Sequence, residues 1–342
     1  MIKDAITKLA DRADLSEKEA EEVMLEIMDG AATSAQIASY LMGLRMKGET
    51  VEEIAGSARA MRSRATKIRA ADPLVVDTCG TGGDRVNTFN ISTTAAFVVA
   101  GGGLTVAKHG NRSVSSLSGS ADVLAALGVR IDLPTDAIQD CVNELGIGFL
   151  FAPLFHGAMK HCALPRQEMG VRTLLNVLGP LTNPAGATIQ VLGVYDARLP
   201  ELLAKVLIHL GTKHCFLVHG MDGMDEITLT DRTRVSEGKG GLVSSYYLDP
   251  NDFGLERVRL KDLVGGAIEE NAHITREILQ GRKGPRRDVV CLNAAPAFVA
   301  CHKVKTLQEG FELAGRIIDS GAAMEKLERL IAFTNKVGGK GQ

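Results

Sequence analysis

After Pro73 the chain alternates between short apolar runs and helix-like runs, and this alternation restricts its fold more than any other feature. The apolar runs read as strands: LVVDTCG, LTVAKHG, GFLFAP, TIQVLGVY and HCFLVHG. Two of the intervening runs, STTAAFVVAGGG and SADVLAALG, read as helices. Buried parallel strands joined by helices produce such an alternation. We therefore predict an α/β catalytic domain over residues 73–342, with a mostly parallel central sheet flanked by helices.

Residues 1–72 predict a small N-terminal helical domain. Three Ser/Thr–x–x–Glu/Gln pairs, each typical of a helix start, occur here: Ser16–Glu19, Thr33–Gln36 and Thr50–Glu53. Apolar residues follow each pair at helical spacing, and no run reads as a strand. The stretch 164–185 interrupts the later alternation, and we expect part of it to join the helical domain.

The loop after the first strand, within DTCGTGGDRVNTFNIST, predicts a phosphate site. Gly80, Gly82 and Gly83 allow the backbone to approach an anion, and the NIST run that follows opens a helix, whose N–H groups favour anions. The simpler alternative is a glycine-rich turn before a capped helix. A GxGxxG motif fails at Arg85, and no GK[ST] triplet occurs, so the loop is neither of Rossmann nor of Walker type.

Two further polar clusters follow later strands. The first, AKHGNRSVSSLSGSADVL, combines cationic and hydroxyl donors that suit a polyanion, the alternative being a solvated loop. In the second, HGMDGMDEITL, the carboxylates of Asp222, Asp225 and Glu226 suit Mg²⁺, the alternative being an acidic surface turn. Ligands of parallel sheets bind at the carboxyl ends of the strands, which is where all three clusters are predicted to lie.

Composition disfavours several other classes of protein. The net charge of −2 and the aromatic content of 4% do not suit a nucleic-acid surface. No 18-residue apolar run or signal-like N-terminus occurs, so we expect no membrane partner and a cytoplasmic location. Six scattered cysteines without a CxxC pair read as reduced thiols. His209, His214 and His219 are spread over a helix end and a strand, which argues against a metal cluster.

Taken together, the motifs resemble those of the anthranilate phosphoribosyltransferase family. The matching runs are DTCGTGGD, NIST, KHGNRSVSS, GSADVL, GPLTNPA, DGMDE and GPRRDVVCLNAA, and they span nearly the whole chain in order. The departures are His156-Gly157, where the family often has His-Pro, and apolar differences in CALPRQEMG. The resemblance implies a nucleoside-phosphorylase-like fold and a homodimer joined through the helical domain. It also implies transfer of a phosphoribosyl group from 5-phosphoribosyl 1-diphosphate to anthranilate in tryptophan biosynthesis, with Mg²⁺ as cofactor.

The resemblance also implies roles for individual residues. Those expected to bind the diphosphate donor are Gly80, Gly83, Asp84, Thr88, Asn90, Ile91, Ser92, Thr93, Lys108, His109, Gly110, Asn111, Arg112, Ser113, Val114, Ser115, Ser116 and Ser120. Ser92, Asp225 and Glu226 are expected to serve Mg²⁺, and Gly80, Asn111 and Arg166 to contact anthranilate. An aromatic amine is already a neutral nucleophile, so no general base is assigned, although His109 is the nearest candidate.

Two other functions stay open from the residues. A pyrimidine nucleoside phosphorylase shares the fold, but its first loop is expected to resemble KHSTGG rather than DTCGTGGD. A non-catalytic relative that binds nucleic acid is expected to have a basic groove and to lack the acidic pair, whereas Asp225 and Glu226 are present.

Overall fold

A computed structural model of the protein describes residues 1–84, 86–113 and 118–338. Its N-terminal layer is helical, as predicted. Its helices are α1 (Ile2–Ala10), α2 (Glu17–Met28), α3 (Ser34–Lys47) and α4 (Val51–Arg64). The three predicted capping boxes are confirmed at the starts of α2, α3 and α4. In each box the side chain of the first residue accepts from the backbone N–H three residues later, and the Glu or Gln returns the bond.

The remaining chain builds one seven-stranded sheet, and the predicted fold class is confirmed. The strands are β1 (Val75–Gly80), β2 (Thr105–Gly110), β3 (Ile147–Phe151), β4 (Ile189–Gly193), β5 (His214–Gly220), β6 (Thr233–Lys239) and β7 (Leu242–Leu248). Their order is β3-β2-β1-β4-β5-β6-β7. The first five are parallel, and β6 and β7 continue the sheet as an antiparallel hairpin. The sequence reasoning missed this hairpin.

Helices cover both faces of the sheet. They are α5 (Ile91–Gly101), α6 (Ser120–Ala126), α7 (Thr135–Asp140), α8 (Ala152–Phe155), α9 (Ala163–Met169), α10 (Leu175–Leu178), α11 (Leu199–His209), α12 (Ile268–Leu279), α13 (Pro285–Ala300), α14 (Leu307–Asp319) and α15 (Ala322–Gly338). Successive strand residues point to opposite faces. Phe216 and Val218 of β5 therefore pack in the cluster that includes α5 and α13, whereas Cys215 and Leu217 pack in a second cluster.

The second apolar cluster joins the N-terminal helices to the sheet. It contains Leu41 of α3, Leu207 of α11 and Leu217 of β5. The segment from α9 to α10 contributes Leu175 and Leu178 to the same cluster. Arg62 of α4 adds polar links, because its guanidinium donates to the carbonyl oxygens of Leu181 (2.8 Å) and Leu210 (3.2 Å). The helical layer and the sheet thus share one continuous core.

No helix in the described ranges combines the length and the apolar character needed to cross a membrane. All six cysteines are buried and none forms a disulfide.

Candidate functional site

The three polar clusters predicted from the sequence meet at one edge of the sheet. Gly80, Gly110, Gly193 and Gly220 end the parallel strands β1, β2, β4 and β5. Because these strands are parallel, their carboxyl ends lie side by side. The loops that follow β1 and β2 are therefore neighbours, and the acidic turn after β5 can reach the loop after β1.

The glycine loop after β1 is bound to the acidic turn through its backbone. Thr81 N–H donates to the carbonyl oxygen of Gly193 at 2.9 Å, and Gly82 N–H donates to Asp225 Oδ2 at 2.9 Å. Gly82 and Gly83 have φ of +65° and +78°, a conformation that favours glycine. The glycines are therefore required by the backbone of this loop.

Asp225 and Glu226 each accept a hydrogen bond from a different loop. Besides the Gly82 bond of Asp225, Glu226 Oε1 accepts from Ser92 N–H at 3.0 Å, at the start of α5. Burial raises the pKa of both carboxyls, with Asp84 adding to the effect at Asp225 and Asp225 adding to it at Glu226. Asp84 thus repels Asp225, and Asp225 repels Glu226, and a cation would offset this repulsion.

The donor set fits Mg²⁺ better than a metal held only by protein. In residues 1–84, 86–113 and 118–338, no group of three His, Cys, Asp or Glu side chains is arranged to hold an ion. Mg²⁺ usually binds one or two carboxylates and completes its shell with water and substrate phosphates. A Cβ atom on Gly80 would stand 2.9 Å from Asp225 Oδ2, so glycine keeps the space beside this carboxylate open.

The start of α5 brings four predicted donor-binding residues together. Asn90 occupies the N-cap position, but its side chain makes no capping bond. Ile91 and Thr93 are buried. Thr88, just upstream, forms an isolated antiparallel bridge with Val264.

Lys108 lies within β2 rather than in the loop that follows it. Its side chain is buried, and Nζ donates to the carbonyl oxygen of Thr78 on β1. Burial lowers the pKa of this ammonium, against the opposing effect of Asp77. The structure therefore places the Lys108 ammonium inside the sheet, close to Asp77 and within electrostatic reach of Glu226 and Asp225.

His109 is buried and neutral at physiological pH. Its Nδ1 lies 3.1 Å from the carbonyl oxygen of Gly179, which can only accept, so Nδ1 carries the proton and Nε2 keeps a lone pair. Nε2 is buried without a hydrogen-bond partner among the described residues. Burial, and next the nearby His156, lower the pKa of His109 to about 3. A group with that pKa is a weak general base.

The loop that follows β2 is bound at both ends by Asp122 of α6. Its carboxylate accepts from Arg112 Nη1 at 2.9 Å, from Ser113 N–H at 3.1 Å and from Gly119 N–H at 3.0 Å. The carbonyl oxygen of Asn111 accepts from Ser120 Oγ at 3.3 Å. Asn111 and Arg112 are exposed and Ser120 is half-buried. Val114, Ser115 and Ser116, which were also predicted to bind the donor, lie outside the described residues.

Arg166, the residue expected to contact anthranilate, lies on α9. Its side chain is exposed. The helix packs against α3, so this arginine lies beside the N-terminal layer. Its role therefore stays a prediction.

Sequence reasoning gave no role to Asp77, Asn183 or Arg172. Asp77 accepts from His109 N–H at 3.1 Å and from Asn183 Nδ2 at 2.7 Å, which ties the GPLTNPA run to β1 and β2. A carboxylate inside the apolar run LVVDTCG was the available signal. Arg172 donates to the carbonyl oxygen of Gly83, and its Cζ lies 4.1 Å above the ring of Tyr195.

Comparison with known proteins gives matches over both parts of the chain. The model described as "Glycosyl transferase family, helical bundle domain" matches residues 3–65, and "Glycosyl transferase family, a/b domain" matches residues 72–324. A protein of Desulfosudis oleivorans named anthranilate phosphoribosyltransferase is 56% identical, over 99% of this chain and 100% of that protein.

Solved structures with the same name are also similar. The Thermus thermophilus structure gives a TM-score of 0.92 at 45% identity, covering 97% of this chain and 99% of that chain. The Saccharomyces cerevisiae protein in complex with PRPP and Mg gives 0.88 at 30% identity, covering 98% of each chain.

Proposed function

The chain belongs to the anthranilate phosphoribosyltransferase family, and on this premise we infer that it transfers the 5-phosphoribosyl group of 5-phosphoribosyl 1-diphosphate to the amino group of anthranilate. The products are N-(5-phosphoribosyl)anthranilate and pyrophosphate, in tryptophan biosynthesis. The resemblance read from the motifs is confirmed, and neither the nucleoside phosphorylase nor the nucleic-acid-binding alternative is favoured.

The observation that carries this function is the convergence of two anion loops and an acidic pair at one edge of the sheet. As the C1′–O bond of the donor breaks, negative charge accumulates on pyrophosphate and C1′ becomes cationic. Preorganised N–H groups and cations stabilise such developing charge. The glycine loop, the start of α5 and the loop after β2 are suited to hold the phosphate oxygens, with Lys108 nearby in β2.

Mg²⁺ is the cofactor of this family, and Asp225 and Glu226 would hold it, with Ser92 alongside. When bound, it neutralises charge on the diphosphate and makes pyrophosphate a better leaving group. The two carboxylates also have a structural role that does not depend on the metal. Through Gly82 N–H and Ser92 N–H they hold the glycine loop and the start of α5 at fixed positions.

Anthranilate has to reach C1′ with its amine lone pair free. We place its ring near Gly80, Asn111 and the buried lone pair of His109 Nε2, which can accept a hydrogen bond from the amine. Arg166 would meet the substrate carboxylate. Neutral His109, whose pKa is lowered to about 3, is suited to orient the amine rather than to deprotonate it. The nitrogen forms its bond to C1′ as the C1′–O bond breaks, and the cationic nitrogen then loses its proton to water or to the released pyrophosphate.

The activity is tested by anthranilate fluorescence. In the purified protein the signal should fall only when 5-phosphoribosyl 1-diphosphate and Mg²⁺ are both present. Loss of anthranilate without donor, or no loss in the complete mixture, would rule out this reaction.

Arg166→Ala is expected to raise the KM for anthranilate at least ~10-fold, because a charge-assisted hydrogen bond contributes about 1.5–3 kcal/mol. The KM for the donor should change little. Arg282→Ala is the matched control. It removes another exposed arginine, which follows α12 and pairs with Glu277 of that helix. Steady-state kinetics measure both constants. An unchanged anthranilate KM in Arg166→Ala would remove this residue from the site.

The helical layer is proposed to form the interface of a homodimer. Leu9, Met42, Met46 and Met169 line an open groove of about 540 Å³ there, and Met46 is 66% exposed. Met46→Glu is expected to weaken the dimer, since it would place a charge in a desolvated interface. Leu242→Glu is the control, because Leu242 is 77% exposed on the edge strand β7. Sedimentation equilibrium measures the mass, and an unshifted dimer in Met46→Glu would contradict the assignment.

Two further statements are proposals of the same kind. We propose a cytoplasmic location. We also propose a division into residues 1–72, joined by part of 164–185, and residues 73–342.

A further inference from the structure

We propose that Asn271 of α12 is a positioning residue that fixes the two anion-binding loops relative to each other, so that both can engage one sugar-diphosphate donor. The proposal rests on the function inferred above. Asn271 is remote in sequence from both loops and has no assigned role. It is 1% exposed, so its amide must find its partners within the protein.

A chain of three polar side chains connects α12 to both loops. Asn271 Nδ2 donates to Ser118 Oγ at 2.7 Å, and Ser118 Oγ donates to Asn90 Oδ1 at 3.0 Å. Asn90 Nδ2 returns a bond to the carbonyl oxygen of Ser118 at 3.4 Å. Ser118 belongs to the segment that follows β2, and Asn90 is the N-cap of α5 in the segment that follows β1. The single hydroxyl of Ser118 therefore accepts from the helix and donates to the opposite loop.

The oxygen of the Asn271 side-chain amide binds the segment that packs against the loop after β1. Its Oδ1 accepts from Gly266 N–H at 2.8 Å. The adjacent Gly265 N–H donates to the carbonyl oxygen of Asn87 at 3.0 Å. A Cβ atom on Gly265 would stand 2.7 Å from Phe89 N, so the two backbones are in close contact. The Asn271 side chain thus binds both the Gly265-Gly266 segment, which packs against residues 87–89, and Ser118, at the end of the loop after β2.

The N-cap geometry of α5 supports a functional reason for this arrangement. Asparagine at an N-cap normally accepts from the backbone N–H groups of the first helical turn. Here Asn90 makes no such bond and directs its side chain to Ser118 instead. The residue therefore gives up a local capping bond for a link between the loops. Loops held in their bound geometry bind a polyanion more tightly, because less ordering remains to be done on binding.

The test uses Asn271→Ala, Ser118→Ala and the double variant, with Ser118→Thr as the variant that keeps the hydroxyl. Loss of a buried hydrogen bond is expected to raise the donor KM and the donor Kd from calorimetry about 5- to 10-fold in each alanine variant. The double variant should show about the same increase as Asn271→Ala alone, because Asn271→Ala already breaks the link through Ser118. Ser118→Thr should stay near the wild-type value. The KM for anthranilate should not change.

Thr275→Ala is the matched control. Thr275 is a fully buried α12 residue whose hydroxyl lies 3.1 Å from that of Thr94 on α5, so it links the same two helices without touching the loops. It should lower the unfolding temperature without raising the donor KM. The proposal is overturned if Asn271→Ala and Ser118→Ala lower the unfolding temperature but leave donor KM and Kd unchanged, or if their effects simply add. Wild-type turnover of anthranilate is measured alongside, and its absence would refute the inferred function instead.

Discussion

The double variant Asp225→Asn/Glu226→Gln is expected to lose at least ~100-fold in kcat, which corresponds to about 3 kcal/mol of transition-state stabilisation. The amides keep the size of the carboxyl groups, and each retains an oxygen that can accept from Gly82 N–H or Ser92 N–H. The loops should therefore stay in place while two negative charges disappear. The Mg²⁺ concentration for half-maximal rate should rise, and anthranilate binding should change little.

The control for this result is Asp231→Asn. Asp231 lies on the same β5–β6 connection, but its carboxylate faces Arg257 at 3.3 Å instead of the glycine loop. Its removal should leave the Mg²⁺ midpoint unchanged. A Mg²⁺ titration of the double variant that overlays the wild type in both midpoint and maximum rate would refute the metal role. Asp225 and Glu226 would then be only part of an acidic turn.

Gly83→Val is expected to weaken donor binding at least ~10-fold while the protein stays folded. Valine is strongly disfavoured at the φ of +78° that Gly83 adopts. A Cβ atom there would stand 3.0 Å from Arg172 Nη2, so the guanidinium that donates to the Gly83 carbonyl oxygen would have to shift as well. Backbone strain of about 1–3 kcal/mol would then be relieved by moving the glycine loop, which we propose to bind the phosphates. Calorimetry with 5-phosphoribosyl 1-diphosphate measures the change.

Gly241→Val separates backbone strain from the effect on the site. Gly241 has φ of +84° in the β6–β7 turn, and a Cβ atom there would meet nothing within 4 Å. It should cost stability but leave donor affinity intact. Normal donor affinity in a folded Gly83→Val protein would mean that the glycine loop is only a turn.

The parts of the fold that were predicted are those in which local chemistry is decisive. Strands such as HCFLVHG are buried along their whole length and mostly apolar, because helices cover both faces, and this makes them easy to find. The hairpin was missed because β7 is an edge strand that exposes residues on both faces and so has no alternating pattern. The only local sign of the hairpin in the sequence was the Gly240-Gly241 pair at its turn, where both glycines adopt positive φ.

The site was predictable where a motif carries its own chemistry and was not where partners come from distant segments. Glycines and paired carboxylates indicate their ligands by residue type. Asp77 and Asn183, by contrast, are 106 positions apart, and Asn271 and Ser118 are 153 apart. No local pattern predicts such pairs. The run LTVAKHG predicted a strand that includes Lys108, but it could not show that the side chain turns toward the carbonyl oxygen of Thr78 on β1.

The N-terminal helices and the sheet share one core. The boundary between two parts of the sequence is therefore not a boundary between two parts that fold independently. The two family models divide the chain near residues 65–72, as if two modules had been joined there. Physically, removal of the first module would uncover part of the apolar cluster that it shares with α11, at about 1.5–3 kcal/mol for each side chain that becomes exposed. The isolated α/β part would thus carry an apolar face prone to aggregation. A boundary between sequence modules is therefore a poor place to cut this chain, which we expect to unfold as one unit.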